Sequence, residues 1–247
     1  MLRTASFAVG VLVVAYATEG GIAHYQVSNF TAHAVQVLLL VNVGPALLAL
    51  GAPITLALQS SSRRTTAVLL DVLRSSPARA VTRPLVALVV ATGSLFAYFL
   101  TPLYAFSERH PLVLAAVQLY LVVAGWLLWT LIVGRDGLPR RLGFGMRFVL
   151  VFLLVPINLA LGLAIAGATQ ALYAPANTLA DTQEGGNVLL GLTEVMIVLV
   201  VVLLFVEWAR EEERAAVRGD RQLDAALAAG RAAVGPDERL ERDNEAS

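Results

Sequence analysis

Three histidines, His24, His33 and His110, together with three methionines and no cysteine, bound the metal chemistry open to this chain of 247 residues. Without cysteine there is neither a structural disulfide nor a thiolate metal site. Imidazole suits copper, so His24, His33 and His110 form a surface copper site if the segments carrying them converge on one face; the other reading is three independent exposed histidines. Glu194 stands well inside an apolar run, with Thr193 before it and Met196 two positions on. An ionisable side chain there is a functional candidate, and the alternative is a hydrogen-bonded carboxyl that holds helices together. Gln36, Gln118, Tyr120 and Asn158 complete the polar set expected in the bundle interior, where amides and phenols tie helices together. The chain contains no Gly-rich phosphate loop, no His-Glu-x-x-His and no Gly-x-Ser-x-Gly, so hydrolase and nucleotide chemistry lack a foothold and the chain reads as a non-enzyme.

The elements that must position these residues follow from hydropathy. The chain is 57% hydrophobic and 15% charged. About 20 apolar residues in a helix cross roughly 30 Å of hydrocarbon, and spanning segments must satisfy their own backbone polar groups. Apolar runs near 4–23, 30–58, 84–106, 111–134, 146–170 and 187–208 predict an all-α polytopic membrane bundle of six transmembrane helices over 1–209. A charged cytoplasmic helix and disordered tail are expected over 210–247. The apolar runs make the lipid bilayer the expected partner, and a net charge of zero argues for neither nucleic acid nor an acidic partner. In this six-span order Arg3, Arg63, Arg64, Arg74, Arg79, Arg83, Arg135, Arg140, Arg141 and Arg147 fall on one side, and only Arg109 on the other. The positive-inside rule then puts both termini in the cytoplasm and 18–30, 105–112 and 171–186 outside. Residues 1–17 also fit a cleaved signal peptide, through Arg3, the apolar 5–14 and Ala15-Tyr16-Ala17; cleavage would remove the first span alone.

Between spans, residues 64–75 set Val68, Leu69, Val72 and Leu73 on one helix face, predicting a short helix on the cytoplasmic surface that ends at Ser75-Ser76-Pro77. Asp136-Gly137-Leu138-Pro139 predicts a tight turn. The exterior loop 171–186, with Pro175, Asn177, Asp181, Glu184 and Gly185-Gly186, is a candidate lid or partner surface. After the last span, Trp208 suits an interfacial anchor, and the pairs Glu207/Arg210 and Glu211/Arg214 favour a helix continuing to about residue 230, short of Gly235-Pro236.

The second apolar run carries the most specific pattern: Ala32-His33-Ala34-Val35-Gln36-Val37, then Gly44-Pro45 and Gly51-Ala52-Pro53. It resembles the CtaG family of cytochrome c oxidase assembly factors, in which a helix begins His-Met-x-Gln-His-Met and runs into Pro-Pro-Leu-Leu-x-Leu-Gly-x-Pro. Thr101-Pro102-Leu103-Tyr104, Gly125-Trp126-Leu127, Leu138-Pro139-Arg140-Arg141-Leu142, Gly185-Gly186 before Glu194, and Trp208-Ala209-Arg210-Glu211-Glu212-Glu213 resemble later family segments in the same order. The resemblance implies a factor in the prokaryotic plasma membrane that assists maturation or copper insertion of a haem-copper oxidase, in contact with an oxidase subunit or a copper chaperone. The departures are systematic. Val37 stands where the family has a second histidine one helical turn after the first, Gln118-Leu119-Tyr120 replaces His-x-His, and Asn158 replaces a histidine after Pro156. His33 and Glu194 remain, and with Met196 they would offer at most a weak or transient copper site, since Cu(I) can be held by His and Met without cysteine. The alternative is a metal-free membrane scaffold or accessory protein of the same fold. A third reading is a proton-coupled transporter using Glu194.

Overall fold

The computed structural model describes residues 2–25, 29–134, 142–173 and 177–233, and every element among them is helical. The chain opens with α1 (Leu2–Glu19) and α2 (Gly21–Tyr25). The second apolar run follows as α3 (Phe30–Leu38), a π-helical turn (Leu39–Val43), α4 (Gly44–Gly51) and α5 (Pro53–Ser60). Next come α6 (Arg63–Arg74), α7 (Ser76–Val81), α8 (Pro84–Leu100) and α9 (Leu103–Glu108). The last three are α10 (Pro111–Val133), α11 (Phe144–Ala166) and α12 (Leu179–Ala233). The chain divides into a unit through Val201 and a unit from Val202 onward, and the second is helical as far as Ala233.

Among the described residues, five helical stretches are long and apolar enough to cross a membrane: Arg3–Tyr25, Phe30–Gln59, Pro111–Val133, Phe144–Ala166 and Leu179–Leu227. Leu12, Val89, Leu112, Leu119 and Phe152 are 65–87% exposed, a distribution suited to lipid rather than water. These features define a multi-pass helical membrane protein.

The expected third span, 84–106, is not one helix. It stops at Leu100, Thr101 is extended (φ −124°, ψ 167°), and α9 restarts after Pro102. A residue before proline is pushed out of the α region, which is why the apolar run breaks there. The 17 residues of α8 make it a shorter apolar helix, apart from the five stretches that are long enough to cross, where the sequence predicts six spans. The expected exterior loop 171–186 is also partly helical, because α12 begins at Leu179. The turn at Asp136–Pro139, the Leu138-Pro139-Arg140-Arg141 motif with Arg135, Pro175, and the tail with Gly235-Pro236 lie outside the described residues.

The second apolar run is bent twice. A π turn breaks the regular i→i+4 ladder, and Gly44 N–H bonds back to Leu39 O. The Val41 carbonyl accepts the Trp129 indole N–H at 3.2 Å. Gly125, one turn before Trp129 on α10, permits this approach, because a Cβ there would sit 2.2 Å from the same oxygen. The second bend is Ala52, left-handed at φ 51° and fully buried, followed by Pro53, which cannot donate and disfavours a helical residue before it. At the far end of α10, Gly134 takes the left-handed cap (φ 65°). Arg147, buried at the start of α11, donates its Nε to Ile132 O at 2.6 Å and a second guanidinium N–H to Val133 O. A cation on the last carbonyls of a helix satisfies groups that have no intrahelical partner.

Candidate functional site

His33 sits in the first turn of α3, and the start of that helix is fixed from two directions. Asn29 Oδ1 accepts from Ala32 N at 2.8 Å as an N-cap. Asp181, in the first turn of α12, accepts from Phe30 N at 2.5 Å and Thr31 N at 3.2 Å, and its carboxylate also receives the Thr31 hydroxyl at 3.0 Å. An anion at a helix N-terminus meets free N–H groups and the positive end of the dipole. Close packing holds the same corner. A Cβ on Gly185 would lie 2.4 Å from the Phe30 ring, and one on Gly186 would lie 2.4 Å from Ala166 N.

Around His33, which is 1% exposed, the structure builds a box of aromatic rings. Tyr104 lies over the imidazole with centroids 4.1 Å apart, Tyr98 is at 5.4 Å, Phe99 at 5.6 Å and Phe30 at 6.2 Å. Tyr173 packs on Tyr104 at 4.2 Å. Its backbone is left-handed (φ 62°), an unfavourable conformation for a tyrosine, and its hydroxyl lies 2.7 Å from Phe99 O and 3.1 Å from Tyr98 O, at the open end of α8. The box is thus held by α3, α8, α9 and the segment before α12.

The polar contacts of His33 run in one direction. Its Nδ1 lies 3.4 Å from Gln36 Oε1, and Gln36 Nε2 donates to Ala17 O in α1 at 2.8 Å. The acceptor at Gln36 assigns the ring proton to Nδ1, leaving Nε2 as a bare acceptor. That Nε2 is buried without a hydrogen-bond partner. Beside the box, the half-buried Glu108 has one carboxylate oxygen buried and unpartnered. Burial pushes its carboxyl above the usual carboxylate range, and burial likewise raises the Tyr173 phenol.

The other predicted residues are dispersed. Gln36 is buried beside His33. Glu194 is exposed, and shares a recess of about 30 Å³ with Asn158 and Thr193, whose hydroxyl is buried and unpartnered. Asn158 is half-buried and donates to Leu154 O one turn back at 2.9 Å. Met196 and Gln118 are half-buried. Tyr120 is 48% exposed, in an apolar groove of about 480 Å³ between α8 and α10 that Tyr98 also lines. His24 is exposed on α2. His110 is exposed at the N-cap of α10, with Nδ1 2.8 Å from Phe106 O and its ring stacked on Phe106 at 4.3 Å. Among the described residues no three His, Asp or Glu side chains group so as to hold a metal ion. The donor set around His33 is aromatic and amide rather than imidazole, thiolate or thioether, a poor fit to copper.

Sequence reasoning did not single out Tyr98, Phe99, Phe30, Tyr173, Glu108 or Asp181 as parts of one site. One signal was available: Phe96, Tyr98 and Phe99 crowd the end of the third apolar run, just before Thr101-Pro102-Leu103-Tyr104.

The family model described as cytochrome c oxidase caa3 assembly factor (Caa3_CtaG) matches residues 1–211, and the chain belongs to that family. The family is described as one of assembly factors. An uncharacterized protein of Mycobacterium leprae is 27% identical over 92% of this chain and 37% of its own length. Uncharacterized proteins of Mycobacterium bovis and Mycobacterium tuberculosis are each 28% identical over 90% of this chain and 36% of their own. The chain therefore spans a little over a third of the length of the curated relatives it matches. No solved structure matches it.

Proposed function

We propose that this chain assists maturation of a haem-copper cytochrome c oxidase as a membrane scaffold, acting through contact with an oxidase subunit or its copper chaperone and holding no copper in its own bundle. The family supports the assembly role. The observation that carries the metal-free form is the surroundings of His33: a buried imidazole walled by Phe30, Tyr98, Phe99 and Tyr104, with Gln36 its hydrogen-bond partner among the described residues and Glu194 in a different recess. In this reading α8 is a short sixth span, which a helix of about 25 Å achieves where the bilayer thins. The arginine distribution supports cytoplasmic termini in a prokaryotic plasma membrane.

The test is a deletion strain complemented with the native gene or with His33→Phe, which keeps an aromatic ring and removes the imidazole. Deletion lowers oxidase level and activity. His33→Phe, present in membranes at the native amount, restores most of both. Unchanged oxidase in the deletion strain removes the assembly role, and a well-expressed His33→Phe that restores nothing removes the metal-free form.

A further inference from the structure

The segment between α5 and α8 has the geometry of a lipid-binding surface. Only Ser61 and Ser62 separate α5 from α6, and only Thr82 and Arg83 separate α7 from α8. Two residues reach at most about 7 Å. Since the chain enters from the Phe30–Gln59 stretch and leaves into the apolar α8, α6 and α7 are confined to the membrane boundary.

At about 100° per residue, the side chains of α6 divide into three sectors roughly a third of a turn apart. Thr66, Leu69, Leu70 and Leu73 form the half-buried sector against the protein. Val68 and Val72, one turn apart, form the second and are each 58% exposed. Arg63, Arg64, Asp71 and Arg74 form the third and are exposed. A helix beside a bundle at the bilayer interface needs these three faces: one for protein, one for acyl chains and one for headgroups. A helix in water has no use for the second.

The charge on this surface is one-sided. Arg63, Arg64, Arg74, Arg79 and Arg83 are all exposed, while Asp71 is the one acid in 63–83. Among the described residues none of the five arginines has a carboxylate partner; Arg79 reaches only Ser76 Oγ, at 3.4 Å. The chain contains no lysine, so each cation is a guanidinium, whose planar fork matches phosphate oxygens two at a time. We propose that α6 and α7 form a docking surface for anionic phospholipid, with Val68 and Val72 in the acyl layer and the five arginines on phosphate headgroups. An acidic protein segment would satisfy the arginines and leave the valine pair in water. Lipid satisfies both.

The test uses the purified full-length chain in detergent doped with equal phosphatidylglycerol and phosphatidylcholine of matched acyl chains, with retained lipids counted by native mass spectrometry. The native chain retains phosphatidylglycerol preferentially, and the preference weakens as sodium chloride rises from about 0.05 to about 0.5 M. Arg64→Gln with Arg74→Gln lowers it by about fivefold or more. Lysine at both positions keeps most of it, and Arg210→Gln with Arg214→Gln leaves it unchanged. Equal retention of the two lipids by the native chain overturns the proposal without any variant. So does a preference that survives glutamine at all five positions, or capture of an acidic peptide by a chain that shows no lipid preference.

Discussion

Gly125 and Trp129 converge on one carbonyl, that of Val41, and each does what its type allows. The indole supplies the donor that a carbonyl in hydrocarbon needs, and glycine supplies the room for two helices to approach. Trp129→Phe leaves the acceptor in place without its partner, and should lower stability by about 1–3 kcal/mol. Gly125→Ala forces the helices apart at the same point, at a cost of about 1–3 kcal/mol by overpacking. Thermal unfolding in detergent checks both; a midpoint unchanged in Gly125→Ala would show that the contact is not close. Glu108 gives a prediction in pH. Its folded-state pKa lies above the ordinary carboxylate value, so its stabilising contribution is fully present below that ordinary value and is lost as pH rises through the folded-state value. Glu108→Gln keeps a neutral side chain throughout. It should match the native chain in acid and become the more stable of the two toward neutral pH, as followed by unfolding midpoints across the titration.

The elements hold these residues through their ends more than their middles. α3 starts where Asn29 and Asp181 accept its first N–H groups, and His33 lies within that turn. Asp181→Ala removes a charged acceptor from a helix N-terminus, worth about 1–2 kcal/mol. It should also speed amide exchange at Phe30 and Thr31 more than at Val37; uniform acceleration would mean that the clamp is not local. Helix α6 was legible in the sequence, because Val68 and Leu69 recur as Val72 and Leu73 at helical spacing within residues 64–75. The break after Leu100 was not, although Pro102 signals it, because the apolar run continues through Leu103, Tyr104 and Phe106, and hydropathy alone joins the pieces. The His33 box was hidden for a different reason. Phe30, Tyr98, Tyr104 and Tyr173 come from four segments, and no local period in the chain brings them together. The resemblance did mark Tyr104, Gly125 and Gly185-Gly186. Only the geometry gives those residues a physical reason: a ring over the imidazole, and close contacts with backbone or with the Phe30 ring that leave no room for a Cβ.

At the scale of the molecule, the family match and the distribution of burial bear on which part of the chain the proposed assembly role rests on. The match covers residues 1–211, and the aromatic box, the Val41 contact and the α6 surface all lie within the unit ending at Val201. In the second unit residues 208–227 are exposed throughout and alternate acidic with basic side chains, as in Glu211, Arg214, Asp220 and Arg221. Helix surfaces of that kind gain only a few tenths of a kcal/mol from each ion pair. A chain ending after Arg214 therefore keeps the membrane unit and the matched region whole. Introduced into the deletion strain, it should support oxidase level and activity to within about twofold of the full chain, as small surface losses of this kind rarely reduce membrane abundance further. Activity at the level of the empty vector, with the truncated chain present in membranes, would place an indispensable partner contact on the exposed extension and transfer the docking role from the bundle to α12 beyond Arg214.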